Sequence, residues 1–242
     1  ETEQARRILE EHKDELAAVI VEPVLGSVGM LPGTTEFLTM LRDLTRANGI
    51  ILIFDEVISF RAAPGGAQEL YGITPDMTSL GKIIGGGFSV GAFGGRRDIM
   101  ELYDPTDGPK VAHAGTFNAN PATMLAGAVT MEQLTPEVYR RLAEVTEYLR
   151  QGVRGVGEEL EVPVQVTGLG SLFGIHFTKD AIVGYRDIAA EDPDFRHQVF
   201  LGLLNEGILM APNLVGAIST ALGESEVDTF VAALRRVLER RT

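Results

Sequence analysis

Lys82 stands between Gly81 and the run Ile83-Ile84-Gly85-Gly86-Gly87. An amine drawn into such apolar, glycine-flanked surroundings is partly desolvated, its pKa falls, and it becomes a nucleophile able to form a Schiff base with a carbonyl. The plainer alternative is a surface lysine in a flexible loop. A Walker A loop is excluded, because Asp76 stands where its first glycine belongs and Ile83 follows Lys82 where Ser or Thr is needed. Asp55 closes the apolar run Ile50-Ile51-Leu52-Ile53-Phe54. A carboxylate at such a place is costly to bury without a cationic or hydrogen-bonding partner, and a protonated ring nitrogen is one such partner. A cap at the strand end is the alternative, and Glu22, after Val19-Ile20-Val21, has the same two readings. The stretch His113 to Pro121 gathers hydroxyl, amide and backbone donors ahead of a predicted helix, which suits a phosphate. An N-capping turn would explain Asn120-Pro121 alone. His12, His113, His176 and His197 show no metal-ligand spacing, so a metal hydrolase built on them with Asp55 and Glu56 has little support.

These residues need elements to position them. Thr2 to Asp14 reads as a charged helix, and Ala17 to Val21 as a short β-branched strand of the kind buried in a parallel sheet. Thr35 to Ala47 repeats apolar residues at three- and four-residue steps and stops at Asn48-Gly49, and Ile50 to Phe54 is a second strand. Strand, helix and strand with short joints make a βαβ unit, which puts Asp55 and Glu56 at the C-terminal edge of a parallel sheet, where open α/β sheets bind ligands. Met77 to Leu80 and Val90 to Gly94 are further strands, Arg96 to Tyr103 is helical, and Pro121 to about Arg154 holds two helices divided at Thr135-Pro136. Beyond Gly155, the segments Val162 to Val166, Ser171 to Phe177 and Gly207 to Met210 read as strands, and Pro193 to Asn205 and Ser225 to Arg241 as helices. The expected organisation is α/β, with a mostly parallel sheet over 1–154 and a smaller α+β domain over 155–242.

Composition narrows the function classes. The 242 residues with 45% apolar content can build a real core. A formal net charge of −13 opposes a broad grip on nucleic acid or an anionic membrane surface. The chain has no cysteine, which removes disulfides and thiol nucleophiles and fits a reducing, cytoplasmic compartment. No apolar run approaches the roughly 20 residues of a membrane span.

Taken together, Val21-Glu22-Pro23 with Gly26 and Gly29, Phe54-Asp55-Glu56-Val57, Pro75-Asp76, Leu80 to Gly87, and Gly115 to Pro121 resemble the class III aminotransferases. These are pyridoxal-phosphate enzymes of fold type I, and the likeness is strongest to glutamate-1-semialdehyde aminomutases and β-amino-acid aminotransferases. The resemblance implies that Lys82 forms the Schiff base with the cofactor and then carries the proton between the substrate Cα and the cofactor C4′. It implies that Asp55 pairs with the pyridinium nitrogen and that Val57 packs on the ring. Thr116, supplied by the neighbouring subunit of a homodimer, would bind the phosphate, and Glu22 would support the Asp55 region. The substrates implied are a small-molecule amino donor and a keto acid.

The chain departs from the family pattern in three places. Ile58 follows Val57 where many relatives carry Gln, Asn213 stands about where an arginine can meet a substrate carboxylate, and the acidic residue of the aminomutases is not evident. The long N-terminal part of family chains, with its phosphate loop and stacking aromatic residue, has no counterpart in Glu1 to Asp14. The expectation is therefore the C-terminal portion of a transaminase. An aminomutase that moves the amino group within one substrate is the alternative, and a non-catalytic piece that dimerises through exposed strand edges is the alternative of another class.

Overall fold

The computed structural model of the protein describes residues 2–106, 108 and 110–240. Arg241, the expected end of the last helix, lies outside the described residues. In chain order the elements are α1 (Thr2–His12), β1 (Ala18–Val21), β2 (Val24–Leu25), β3 (Leu31–Pro32), α2 (Thr35–Ala47), β4 (Ile51–Asp55), α3 (Gly66–Tyr71), β5 (Met77–Gly81), β6 (Gly91–Gly95), α4 (Arg97–Met100), α5 (Pro121–Gln133), α6 (Pro136–Glu159), β7 (Gln165–Thr167), β8 (Leu172–His176), α7 (Tyr185–Ala189), α8 (Pro193–Asn205), β9 (Val215–Ala217) and α9 (Glu224–Glu239). None of the described helices is long and apolar enough to cross a membrane.

The chain divides into two compact units, one of Glu1–Pro23 with Gly33–Thr135, the other of Val24–Pro32 with Pro136–Thr242. This division differs from a boundary at 154/155. Helix α6 starts at Pro136 and runs through that point without a break, because Gly152, Gly155 and Gly157 cost it less than the burial of Leu142, Val145, Leu149, Val153 and Val156 returns.

The first unit is built on a sheet of order β1-β4-β5-β6, with β1, β4 and β5 parallel and β6 antiparallel to β5. Alternation along the strands gives the sheet two faces. Leu52 and Phe54 point to one face, where they are buried with Leu38 and Leu41 of α2 and Leu9 of α1. Ile20 and its register partner Ile53 point to the other, where Ile20 is 64% exposed. Helix α2 begins at Thr34, whose hydroxyl accepts the Phe37 N–H at 3.2 Å. The region expected to be helical from Arg96 to Tyr103 is one α turn, α4, followed by a 3₁₀ turn at Glu101–Tyr103.

The second unit pairs β7-β8-β9 as an antiparallel sheet and β2 with β3 as a small hairpin. Its core joins α6, α8 and α9 to β8 through residues such as Leu149, Val153, Ile175, Leu203, Phe230 and Leu234. Gly207 to Met210 is not a strand, which corrects the sequence expectation. Gly207 takes φ +84°, donates to Leu204 O, and lets Ile208 N–H reach back to Leu203 O, so the segment closes α8 instead. The third strand is β9, with Gly216 packed on the Phe173 ring.

Candidate active site

The chemistry-bearing residues of the first unit gather at the C-terminal ends of β4 and β5. Asp55 is the last residue of β4 and lies in register with Ser79 of β5, while the Glu56 N–H donates to Ser79 O at 3.0 Å. Lys82 follows one residue after β5 ends. Asp55 Oδ1 accepts the Val57 N–H at 3.0 Å, and its other oxygen has no hydrogen bond among the described residues. Ser79 Oγ is buried and has no hydrogen-bond partner among the described residues. Val57 lies against Gly81, where an added Cβ would stand 3.2 Å from Val57 Cγ1.

Lys82 adopts φ +49°, the left-handed region that non-glycine residues seldom enter. Strain of this kind persists only where surrounding structure holds it, and it clusters at functional sites. Helix α5 does the holding. An added Cβ on Gly127 would collide with the Ile84 carbonyl, and one on Gly86 with the Ala126 carbonyl, so the turn after Lys82 and α5 approach backbone to backbone. The expectation that apolar surroundings desolvate Lys82 is corrected: its side chain is exposed, because the left-handed turn carries it away from the buried face of the sheet.

Two carboxylates fix this edge, and reading the sequence did not give them their roles. Glu56 is fully buried. Its Oε2 accepts from Ala67 N at 2.6 Å and Ser59 Oγ at 3.0 Å, and its Oε1 from Gln68 N and Gln68 Nε2, each at 3.0 Å. The carboxylate therefore seats the first turn of α3, where free N–H groups favour an anion. Gly66 must be glycine beside it, since it has φ +80° and an added Cβ would lie 2.7 Å from Glu56 Oε2. The signal in the sequence was a second acid after an apolar strand with a Gly65-Gly66 pair downstream. Asp76 is also buried, and it joins three elements: Oδ2 accepts from Arg42 Nη2 and Leu52 N, both at 2.8 Å, and Oδ1 from Arg96 Nη1 at 3.1 Å. Burial pushes the Asp76 carboxyl up, but the Leu52 N–H and the two guanidiniums outweigh it and hold it below the usual carboxylate range. Asp76 thereby ties α2 and β4 to the start of β5, the strand that leads to Lys82.

Glu22 follows Val21, the register partner of Phe54, so it stands abreast of Asp55 on the edge strand and is half-buried. Thr116 lies elsewhere, in an exposed turn before α5. In that turn Asn120 Oδ1 accepts from Ala122 N at 3.0 Å and Thr123 N at 3.3 Å, with Pro121 in the first helical turn. The capping reading of Asn120-Pro121 is thus correct, and Thr116, Phe117 and Asn118 remain exposed beside it. Among the described residues no group of His, Asp or Glu could hold a metal ion.

Comparison with known proteins agrees with this geometry. The profile of the family described as aminotransferase class-III matches residues 1–221. The chain is 43% identical over 235 residues to a beta-phenylalanine transaminase of Variovorax paradoxus, covering 97% of this chain and 54% of that protein. It is 42% identical over 231 residues to a glutamate-1-semialdehyde 2,1-aminomutase of Limosilactobacillus reuteri, covering 94% and 53%. Its fold superposes on an omega-transaminase from Sphaerobacter thermophilus with TM-score 0.96 at 48% identity, over 99% of this chain and 55% of that one. The chain thus spans about half the length of the relatives it matches. A parallel-sheet edge that sets a strand-end aspartate beside a left-handed lysine turn, in a chain whose profile match runs through both compact units, belongs to the class-III aminotransferases.

Proposed function

We propose that this chain holds pyridoxal phosphate through Asp55 and Lys82 and serves pyridoxal-phosphate-dependent transfer of an amino group from an amine or amino acid to a keto acid. The observation that carries the reading is the parallel pairing of β4 with β5, which brings Asp55 and the Lys82 turn to one edge of one sheet. The residues there fit the group: Asp55 offers a carboxylate oxygen and Ser79 a buried hydroxyl, both unpaired among the described residues, Val57 an apolar flank, and Lys82 an exposed amine.

The bound cofactor supplies an electron sink and an aldehyde carbon that accepts the amino group. Asp55 keeps a proton on the ring nitrogen, which a carboxylate does best where water is sparse. Lys82 would be the residue that holds the group at its aldehyde carbon, and its amine would carry the proton between the substrate Cα and C4′. Val57 holds the ring plane. Glu22 supports the edge beside Asp55 without reacting.

Thr116 is assigned to the phosphate of a second copy, which makes the working form a homodimer. Support comes from exposed apolar side chains in the same turn and on the helix that follows it, Phe117 at 82%, Leu125 at 68% and Val129 at 45%. Sedimentation at micromolar concentration should give a dimer, and Leu125→Glu a monomer; a monomeric wild-type chain removes this role for Thr116. With no cysteine to keep reduced or oxidised, a cytoplasmic site of action is the compatible one.

The test is to incubate the chain with pyridoxal phosphate, reduce with borohydride and map the modified peptide by mass spectrometry. Label on Lys82, absent in Lys82→Ala, is the expected result, and label spread over surface lysines or none at all refutes the reading and leaves a non-catalytic piece. The equal likeness to an aminomutase supports a second reading, transfer within one substrate. Turnover of a glutamate-1-semialdehyde-type substrate without added keto acid would select it.

A further inference from the structure

Ser79 takes no part in the proton transfers above, yet its hydroxyl is a buried polar group with no hydrogen-bond partner among the described residues. Buried hydroxyls in native proteins are nearly always hydrogen-bonded, so one left without a protein partner calls for an explanation. The sheet register says where that partner sits. Ser79 is directly opposite Asp55 on the neighbouring parallel strand, so the two side chains leave the same face of the sheet. Thr78, one residue earlier, points to the opposite face, where its hydroxyl accepts from Gln68 Nε2 at 3.3 Å. Asp55 has one oxygen committed to the Val57 N–H. Its second oxygen is the one left to face a ring nitrogen, and Ser79 is its cross-strand neighbour.

We propose that Ser79 is a positioning residue for Asp55: unpaired without ligand, its hydroxyl turns to donate to the open carboxylate oxygen of Asp55 when a cationic ring is bound, and fixes the plane in which that carboxylate meets the ring. The inference rests on the functional reading above, since it is the ring that makes the carboxylate plane matter. A carboxylate held at one oxygen by Val57 N–H still swings about that contact. A second donor, from a separate strand, removes that swing in the complex, so its contribution is made to the bound state and not to the ligand-free fold. Alanine at this position would avoid the cost of an unpaired buried hydroxyl, so a purely structural role does not account for a serine here.

The test uses the full chain and 4′-deoxypyridoxine 5′-phosphate, which has the ring and phosphate of the cofactor but no aldehyde and therefore cannot bond to Lys82. Its dissociation constant is measured by titration calorimetry for wild type, Ser79→Ala, Ser79→Thr, Asp55→Asn and the Ser79→Ala, Asp55→Asn double variant, each also melted without ligand. Loss of one supporting hydrogen bond of about 1 kcal/mol predicts binding weaker by about fivefold in Ser79→Ala, and restored in Ser79→Thr. In the Asp55→Asn background Ser79→Ala should change binding by less than about 1.5-fold, because the group it acts through is gone. The ligand-free melt of Ser79→Ala should be level with wild type or higher, since deleting an unpaired buried hydroxyl relieves a cost. Equal losses in both backgrounds, or a weaker ligand-free fold that accounts for the weaker binding, overturn the role of Ser79 alone. A wild-type chain that leaves the probe unbound overturns the functional reading and the role of Ser79 together.

Discussion

Replacing Glu56 by Gln keeps the shape of the most heavily bonded side chain at the candidate site and removes its charge and one acceptor oxygen. In the structure each oxygen takes two donors, Ala67 N and Ser59 Oγ on one side and Gln68 N and Gln68 Nε2 on the other. The new NH₂ must face one of these pairs. The Ser59 hydroxyl can rotate and accept, and the Gln68 amide can turn over, but a backbone N–H cannot become an acceptor. One backbone donor in the first turn of α3 is therefore stranded in a fully buried place, at about 1–3 kcal/mol. The two bonds kept on the amide oxygen fall from charge-assisted to neutral strength, about 1 kcal/mol in all. The expected destabilisation is about 2–4 kcal/mol. With a urea dependence of about 2 kcal/mol per molar, the midpoint of the first unit's transition should fall by about 1–2 M. Far-ultraviolet circular dichroism follows the transition, since the chain has no tryptophan. A midpoint within about 0.3 M of wild type would show that α3 does not depend on this carboxylate, and the account of the edge beside Asp55 would fail with it.

Three further outcomes follow from the same unit. Asp76 has its carboxyl held below the usual range, so its contribution is fully present above the unfolded carboxylate value of about 3.9 and is lost as pH falls through the lower folded value. Acid titration of stability should accordingly be shallower below about pH 4 in Asp76→Asn, a variant that is also less stable at pH 7, and parallel curves would refute the assignment. Gly127→Ala forces a Cβ onto the Ile84 carbonyl. It should cost about 2 kcal/mol or more and reduce borohydride labelling at Lys82, whereas unchanged labelling would show that α5 does not hold the lysine turn. Lys82→Ala should instead leave the melting temperature level, because alanine keeps the Cβ that strains the left-handed turn and the exposed remainder of the lysine contributes no packing; a clear loss of stability would refute that view of the turn.

Much of the fold was legible in the residues because its signals are local. The apolar runs before Glu22 and Asp55 read as strands, the three- and four-residue repeat of Leu38 and Leu41 covers one of their faces, and Asn120-Pro121 begins a helix, although the expected burial of the first run fails at Ile20, which lies 64% exposed on the edge strand. Spaced together, Asp55, Lys82 and the glycines after it also carried the family and the proposed chemistry. Other features depend on partners distant in sequence. Which of two adjacent acids is buried was decided by α3, whose N–H groups arrive eleven and twelve residues after Glu56. The exposure of Lys82 was decided by a left-handed turn that α5 braces from some forty residues on. Gly207 to Met210 looked like a strand because its residues are apolar, yet the end of α8 needed its N–H groups first. Asp76 reads as an ordinary loop acid until Arg42, Leu52 and Arg96 converge on it. The sequence by itself determined which segments are strands and helices and which residues can do chemistry, since periodicity and side-chain type are properties of neighbours along the chain. Only the tertiary structure decided which carboxylate is buried, how the Ser79 hydroxyl is surrounded and where the lysine points, because burial and hydrogen-bond pairing are properties of neighbours in space.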